Sequence, residues 1–352
     1  MSQLPAPERR VLSLHTTLGS DPVELKCSTL YYPVSCVKDG LTLVFTHGLA
    51  SHKEQYDPTI ARLLLHAQAR AMIRDIWVPD LPNHGQTALL NRPVLDARKA
   101  AGKAMCTTKD IALYLQAFLS SPSLESSTVV GIAHSGSCTL WIFALTSMPP
   151  SLTPFALIMV EPTLMFPSLT PTDPRSIHGA ANVRGSLAKR DRWTDREALT
   201  RWLVGGKGVW RKWDKRVLNG YVRYGFEEAN ESDLGTGKKK SYVTPTLRKD
   251  EESPLYACLS HTVEPESLGR ACRAVEEAGR GVHIVWADFE EFISKAARKE
   301  ILDAAEHRVV SQRTIKGAGH LIPQEKPDEF GEALVEILDE IVNGSENTKA
   351  KM

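Results

Sequence analysis

Three residue types in the right chain order suggest nucleophilic catalysis: a serine at 135, a carboxylate at 161 or 288, and a histidine at 320. Ser135 stands in Ala133-His134-Ser135-Gly136-Ser137, directly after the apolar run Thr128–Ile132, which reads as a sharp strand-to-helix turn. A serine hydroxyl is a poor nucleophile until a base takes its proton, so the turn matters only with its partners. A serine there could equally cap the helix that begins near Cys138. Glycines are usual two residues either side of such a nucleophile because strand and helix backbones crowd together. Ala133 and Ser137 replace them here and add only one or two heavy atoms.

The run Leu41–Thr46 ends abruptly at His47-Gly48-Leu49-Ala50, the pattern of an oxyanion loop. Backbone amides of Leu49 and Gly136 are the expected donors to the negative oxygen of an acyl-transfer transition state, at about 3–4 kcal/mol each. The base is expected late, after Val309–Ile315, where Gly317 and Gly319 let a loop present His320. His47, His84 and His134 are weaker candidates, since each sits inside another turn. For the acid, Glu161 follows Phe155–Val160 and Asp288 follows Val282–Ala287. Glu161 is preferred because it ends a fully apolar strand and Pro162 redirects the chain after it. Asp288 remains the alternative triad acid, although Glu290 and Glu291 beside it suggest a solvated loop.

To position these groups the sequence offers strand-like runs near 11–15, 25–32, 41–46, 74–79, 127–132, 155–160, 282–287 and 309–315, with helix-compatible segments between them. Helical spacing marks Asp57–Ala71, Thr108–Leu119 and Phe330–Ile341. The alternation implies an α/β fold with a mostly parallel central sheet flanked by helices. It breaks between Pro162 and about Val275, which suggests a largely helical cap inserted above the strand ends. The expected division is residues 1–162 and 276–343 for the core, 163–275 for the cap and 344–352 for a flexible tail. Within the cap, Trp193, Trp202, Trp210 and Trp213 alternate with Arg192, Arg196, Arg201, Lys207, Arg211, Lys212, Lys215 and Arg216. They read either as an apolar acyl tunnel with phosphate-attracting cations, or as ordinary packing with a solvated basic face. Gly235-Thr-Gly-Lys-Lys-Lys240 lacks phosphate-loop spacing and reads as a cap loop.

Taken together, the elbow, the His-Gly loop, the turn Asp80-Leu-Pro-Asn-His-Gly85 and the late Gly-Ala-Gly-His320 resemble the α/β-hydrolase superfamily over nearly the whole chain. More narrowly, Thr46-His-Gly-Leu-Ala-Ser-His-Lys-Glu54-Gln-Tyr56-Asp-Pro58 and Val160-Glu-Pro162 resemble fungal peroxisomal acyl-CoA hydrolases of secondary metabolism, of the mycophenolyl-CoA hydrolase and AK-toxin biosynthesis protein type. That resemblance implies Glu161 as the acid, with glutamate where the family carries aspartate, and an acyl thioester or ester as substrate. An acyltransferase using the same acyl-enzyme, or a catalytically silent ligand-binding protein, are the competing expectations. Serine rather than aspartate at 135 argues against epoxide hydrolysis and dehalogenation.

Composition narrows the class further. The 352 residues are 42% hydrophobic and 24% charged, enough for a sizeable core, and a net charge of +1 gives no reason to expect nucleic acid. No run approaches the roughly 20 apolar residues of a membrane span. Six scattered cysteines form no Cys-x-x-Cys pair, so no metal site and no disulfide framework is expected, and the chemistry requires no cofactor. Met1–Arg10 lacks the apolar region of a secretory signal. Ala350-Lys351-Met352 resembles the Ser-Lys-Leu class of peroxisomal addresses, which implies an import receptor as partner and the peroxisome as location.

Overall fold

The protein is described by a computed structural model covering residues 6–125, 127–206, 208–232, 239–257 and 262–349. Lys207, most of the 235–240 stretch, Cys258 and the 350–352 tripeptide lie outside the described residues.

The first half of the core comprises β1 (Glu8–Leu18), β2 (Asp21–Pro33), β3 (Leu41–Thr46), α1 (Asp57–Leu63), α2 (Ala67–Met72), β4 (Ile73–Pro79), α3 (Gly85–Ala100), α4 (Thr108–Leu119), β5 (Thr128–His134), α5 (Gly136–Ser147) and β6 (Ala156–Val160). Above it lie α6 (Pro174–Ala188), α7 (Arg196–Gly205), α8 (Lys215–Tyr224), β7 (Phe226–Ser232), β8 (Lys239–Pro245) and the single turn α9 (Lys249–Glu252). The chain then returns through α10 (Pro265–Ala278), β9 (Val282–Ala287), α11 (Lys295–Ala304), β10 (Val309–Ile315), the short α12 (Ile322–Glu325) and α13 (Pro327–Lys349).

Eight strands form one sheet in the order β1-β2-β4-β3-β5-β6-β9-β10. The β1-β2 and β2-β4 pairs are antiparallel and the rest parallel, so this is the mostly parallel α/β-hydrolase sheet expected. In β3, β6 and β9 every residue is buried, as strands covered by helices on both faces must be. One layer packs Ile111, Leu115 and Phe118 of α4 with Leu140 and Trp141 of α5. The other packs Ile60 and Leu63 of α1 with Phe330, Leu334, Ile337 and Leu338 of α13. A capping box between Thr107 and Asp110 starts α4 where the spacing predicts it. The helix expected over 57–71 breaks at Leu64–His66 into α1 and α2.

Two features of the 163–275 span go beyond the sequence reading. Besides helices it contains the antiparallel hairpin β7-β8, joined to the cap core where Trp193 and Val243 exchange backbone hydrogen bonds of 3.0 and 2.8 Å. Among the described residues of that hairpin only Phe226 and Val243 of its strands are buried, so its charged sequence gives little alternation to read. In addition, α10, at the end of that span, buries Leu268, Ala271, Cys272 and Val275 in the sheet-side core.

Candidate active site

Ser135 occupies the junction of β5 and α5 with φ 56° and ψ −124°, a conformation that costs a side-chain-bearing residue about 1–3 kcal/mol. The surroundings hold it there. Its amide donates to the Val160 carbonyl at 2.9 Å, and a Cβ at Gly131 would stand 2.8 Å from the Trp141 ring, so strand and helix approach as closely as glycine allows. Ala133 and Ser137 are fully buried, and the Ser137 hydroxyl donates to the His47 carbonyl. The residue that replaces glycine after the nucleophile therefore ties the elbow to the oxyanion loop. Cys138 points away, its thiol donating to the Ala133 carbonyl at 3.3 Å, and burial pushes that thiol up.

His320 lies 2.9 Å from the Ser135 hydroxyl through Nε2 and 3.1 Å from Glu161 Oε2 through Nδ1. A carboxylate only accepts, so Nδ1 carries the hydrogen and Nε2 is left to accept from Ser135. Glu161 is 1% exposed, sits at φ 47°, and its other oxygen accepts the Ala287 amide at 2.7 Å. Arg298 stands 3.9 Å behind it. Asp288 is exposed and faces elsewhere: its carboxylate accepts the Gly317 amide at 2.9 Å, bracing the loop that carries His320. Of the two candidate acids, the structure brings Glu161 to the imidazole and not Asp288.

The three weaker histidine candidates, His47, His84 and His134, form scaffolding. His134 donates from Nε2 to the His320 carbonyl at 3.0 Å, and burial holds its imidazole down to about 3, so it stays neutral. His47 donates from Nδ1 to the Gly48 carbonyl at 2.9 Å and accepts the Leu81 amide at 3.1 Å; burial lowers it to about 4. His84 accepts the Ala50 amide at 3.2 Å. Beneath this loop the buried Lys53 ammonium pairs with Asp80 at 2.5 Å. Gly48 is wedged against the elbow, where a Cβ would lie 3.0 Å from His134 Nδ1 and 3.3 Å from Ser135 Cβ. Among the described residues, neither the Leu49 nor the Gly136 amide donates to a protein acceptor, and both residues border the cavity over Ser135.

That cavity has a volume of about 310 Å³. Its floor is Leu49, Ser135, Gly136 and His320; its walls include Met165, Tyr256, Leu321 and Phe292, with His178 and Asn182 from α6. Val209 and Lys212 of the cap close one side, and Lys212 pairs at 2.7 Å with Glu291 from the core. Burial and Glu291 hold the Glu325 carboxyl, also in this wall, above its ordinary value. None of the four cap tryptophans borders the cavity. Trp193 and Trp202 (5.3 Å between ring centroids), Trp202 and Trp210 (5.2 Å), and Trp213 with Tyr221 (5.1 Å) form the cap's own core. Most of the cations between them are already engaged. Arg192 pairs with Glu231, Arg201 with Glu197, Arg216 with Asp214 and Asp328, and Arg196 bonds the Val222 and Phe226 carbonyls. Of the two readings of the tryptophans, the structure bears out packing. Sequence reasoning also missed Phe292, whose ring stacks on His320 at 4.7 Å, because nothing in Asp288-Phe-Glu-Glu-Phe292 distinguishes one phenylalanine from the other.

Among the described residues, no group of three or more His, Cys, Asp or Glu side chains could hold a metal ion, and no helix is long and apolar enough to cross a membrane.

A family model described as "Alpha/beta hydrolase family" matches residues 43–333. No curated protein matches the sequence. Among solved structures, the chain is similar to the peroxisomal alpha-beta-hydrolase Lpx1 from Saccharomyces cerevisiae, with a TM-score of 0.66 and 16% identity over 97% of this chain and 90% of that one. It is also similar to E-2-(acetamidomethylene)succinate hydrolase (TM-score 0.61, 14% identity, 95% of this chain and 100% of that one). A thioesterase domain from the curacin biosynthetic pathway aligns with a TM-score of 0.58 and 11% identity, over 95% and 99% of the two chains. At these identities the likeness is one of fold.

Proposed function

The chain belongs to the alpha/beta hydrolase family, and on that premise we propose that it is a serine hydrolase cleaving an acyl ester or thioester through an acyl-enzyme on Ser135. The observation that carries this reading is the continuous chain Ser135 Oγ, His320 Nε2, His320 Nδ1, Glu161 Oε2, at 2.9 and 3.1 Å, on the floor of a cavity. His320 takes the hydroxyl proton as Ser135 attacks the acyl carbon. Glu161 keeps Nδ1 protonated and stabilises the imidazolium that forms. The carbonyl oxygen, now negative, receives the Leu49 and Gly136 amides, whose positions are fixed before substrate arrives. His320 then returns its proton to the leaving thiol or alcohol. Water, deprotonated by the same imidazole, releases the acid.

The substrate is a small acyl compound whose acyl group fills the cavity, a volume near the lower end of ligand sites. A thioester of the acyl-CoA type, in fungal secondary-metabolite or toxin biosynthesis, is the narrower reading. Its support is the sequence resemblance, with a thioesterase domain among the similar folds. Peroxisomal location, through receptor capture of Ala350-Lys351-Met352, rests on the tripeptide and on a fold neighbour described as peroxisomal. Residues 1–162 and 276–343 as core, 163–275 as cap and 344–352 as tail are the working division of the chain, with α10 of the 163–275 span packed on the core.

Turnover of a panel of CoA thioesters and matched oxygen esters by the wild type and Ser135→Ala tests the activity. The expected outcome is hydrolysis of at least one thioester by the wild type alone; equal rates for the two proteins would reject it. A tagged chain lacking residues 350–352 is expected to leave peroxisomes, and its retention there would reject the address.

A further inference from the structure

We propose that Phe292 is a positioning residue for the reaction, its ring face stabilising His320 as an imidazolium. The proposal rests on the reading of His320 as general base. The two rings are stacked, with centroids 4.7 Å apart and planes 27° from parallel. Phe292 also meets His178 of α6 at 5.2 Å, so a cap helix backs the same ring, and both aromatic residues border the cavity.

The face of a phenyl ring carries negative charge density and attracts a cation centred within about 6 Å, while a neutral imidazole gains only packing. His320 is neutral before reaction and cationic once it holds the Ser135 proton. The contact therefore strengthens on the way to the transition state and acts on rate rather than on substrate affinity.

The other groups around His320 do different work. Glu161, at the end of β6, takes Nδ1–H with Arg298 of α11 behind it. His134 from β5 holds the His320 carbonyl, with its neutral ring 5.5 Å away. Glu325 of α12 accepts the Gly319 amide at 2.7 Å, Asp288 the Gly317 amide, and Glu291 is paired with Lys212 of the cap.

The test is titration of the His320 imidazole by NMR in the wild type, F292L, F292Y and a protein with ring-fluorinated phenylalanine at 292, beside the pH dependence of kcat/KM. Fluorination withdraws density from the ring face and keeps its shape, so it carries the test even where F292L does not fold. Removing the ring disfavours the cation. His320 in F292L is accordingly expected to titrate about 0.4–0.7 pH units lower than in the wild type. In the same variant kcat is expected to fall about two- to fivefold, with KM within about twofold. The fluorinated protein falls between, and F292Y stays with the wild type. Unchanged His320 titration in both the leucine and fluorinated proteins would overturn the proposal, as would a kcat loss shared by F292Y. Because NMR titration needs no turnover, an inactive wild type would refute the proposed function without obscuring this result.

Discussion

Replacing Glu161 by glutamine exposes the logic of the site most sharply. The two side chains have nearly the same shape, but glutamine has one oxygen where glutamate has two. One carboxylate oxygen accepts the buried Ala287 amide at 2.7 Å and the other accepts His320 Nδ1–H at 3.1 Å. The Ala287 amide can only donate, so in the variant the single amide oxygen stays with it, and leaving that N–H unpaired would cost about 1–3 kcal/mol. The NH₂ group then faces Nδ1, which must lose its hydrogen to accept. The hydrogen moves to Nε2, the atom 2.9 Å from the Ser135 hydroxyl, and the base is blocked. Loss of both the tautomer and the buried charge implies a fall in kcat of about 10³–10⁴-fold, or about 4–5.5 kcal/mol of transition-state stabilisation. Turnover of a chromogenic ester over a pH series, with a thermal melt to establish folding, reads the effect. A folded Glu161→Gln variant within tenfold of wild type would refute the reasoning.

Asp288→Asn keeps an oxygen able to accept the Gly317 amide and is expected to change kcat by less than about threefold; a loss as large as that of Glu161→Gln would reassign the acid. Gly48→Ala places a methyl 3.0 Å from His134 and 3.3 Å from Ser135, and is expected to displace the Leu49 amide and lower kcat by about 10²-fold with a small change in KM, read by steady-state kinetics. Stability should rise with pH between about 4 and 6.5. Burial lowers His47 and His283 to about 4 and His134 to about 3, so in that window the unfolded chain binds protons that the folded chain does not. Asp57, pushed up to about 6 by burial, opposes them in part, and His84, also lowered by burial, adds to the rise. Urea denaturation at several pH values measures it, and a flat or inverted profile would contradict the placement of these rings.

Much of this site could be read from the chain because its parts lie where strands end. β3, β5, β6, β9 and β10 each show as an apolar or β-branched run, and Gly48, Ser135, Glu161 and His320 follow four of them closely. Helix propensity and periodicity located α4 to the residue, since its cap and its apolar stripe agree. The rest depended on contacts between distant segments that no local pattern encodes. His134 pairs with a carbonyl 186 residues away. Ser137 looked only like a small residue in a tight turn, whereas its hydroxyl holds His47. The tryptophans of the cap were visible as a cluster, but which way a cluster faces depends on the hairpin β7-β8, whose exposed, charged strands carry no clear alternation.

The most direct measurement is the mass of the protein after brief exposure to an activated acyl ester or a fluorophosphonate, with the modified peptide sequenced. A single adduct on Ser135, formed by the wild type, strongly slowed in Glu161→Gln and missing from Ser135→Ala, is the expected result. Folded wild-type protein that carries no adduct, or carries it on another residue, would contradict the account.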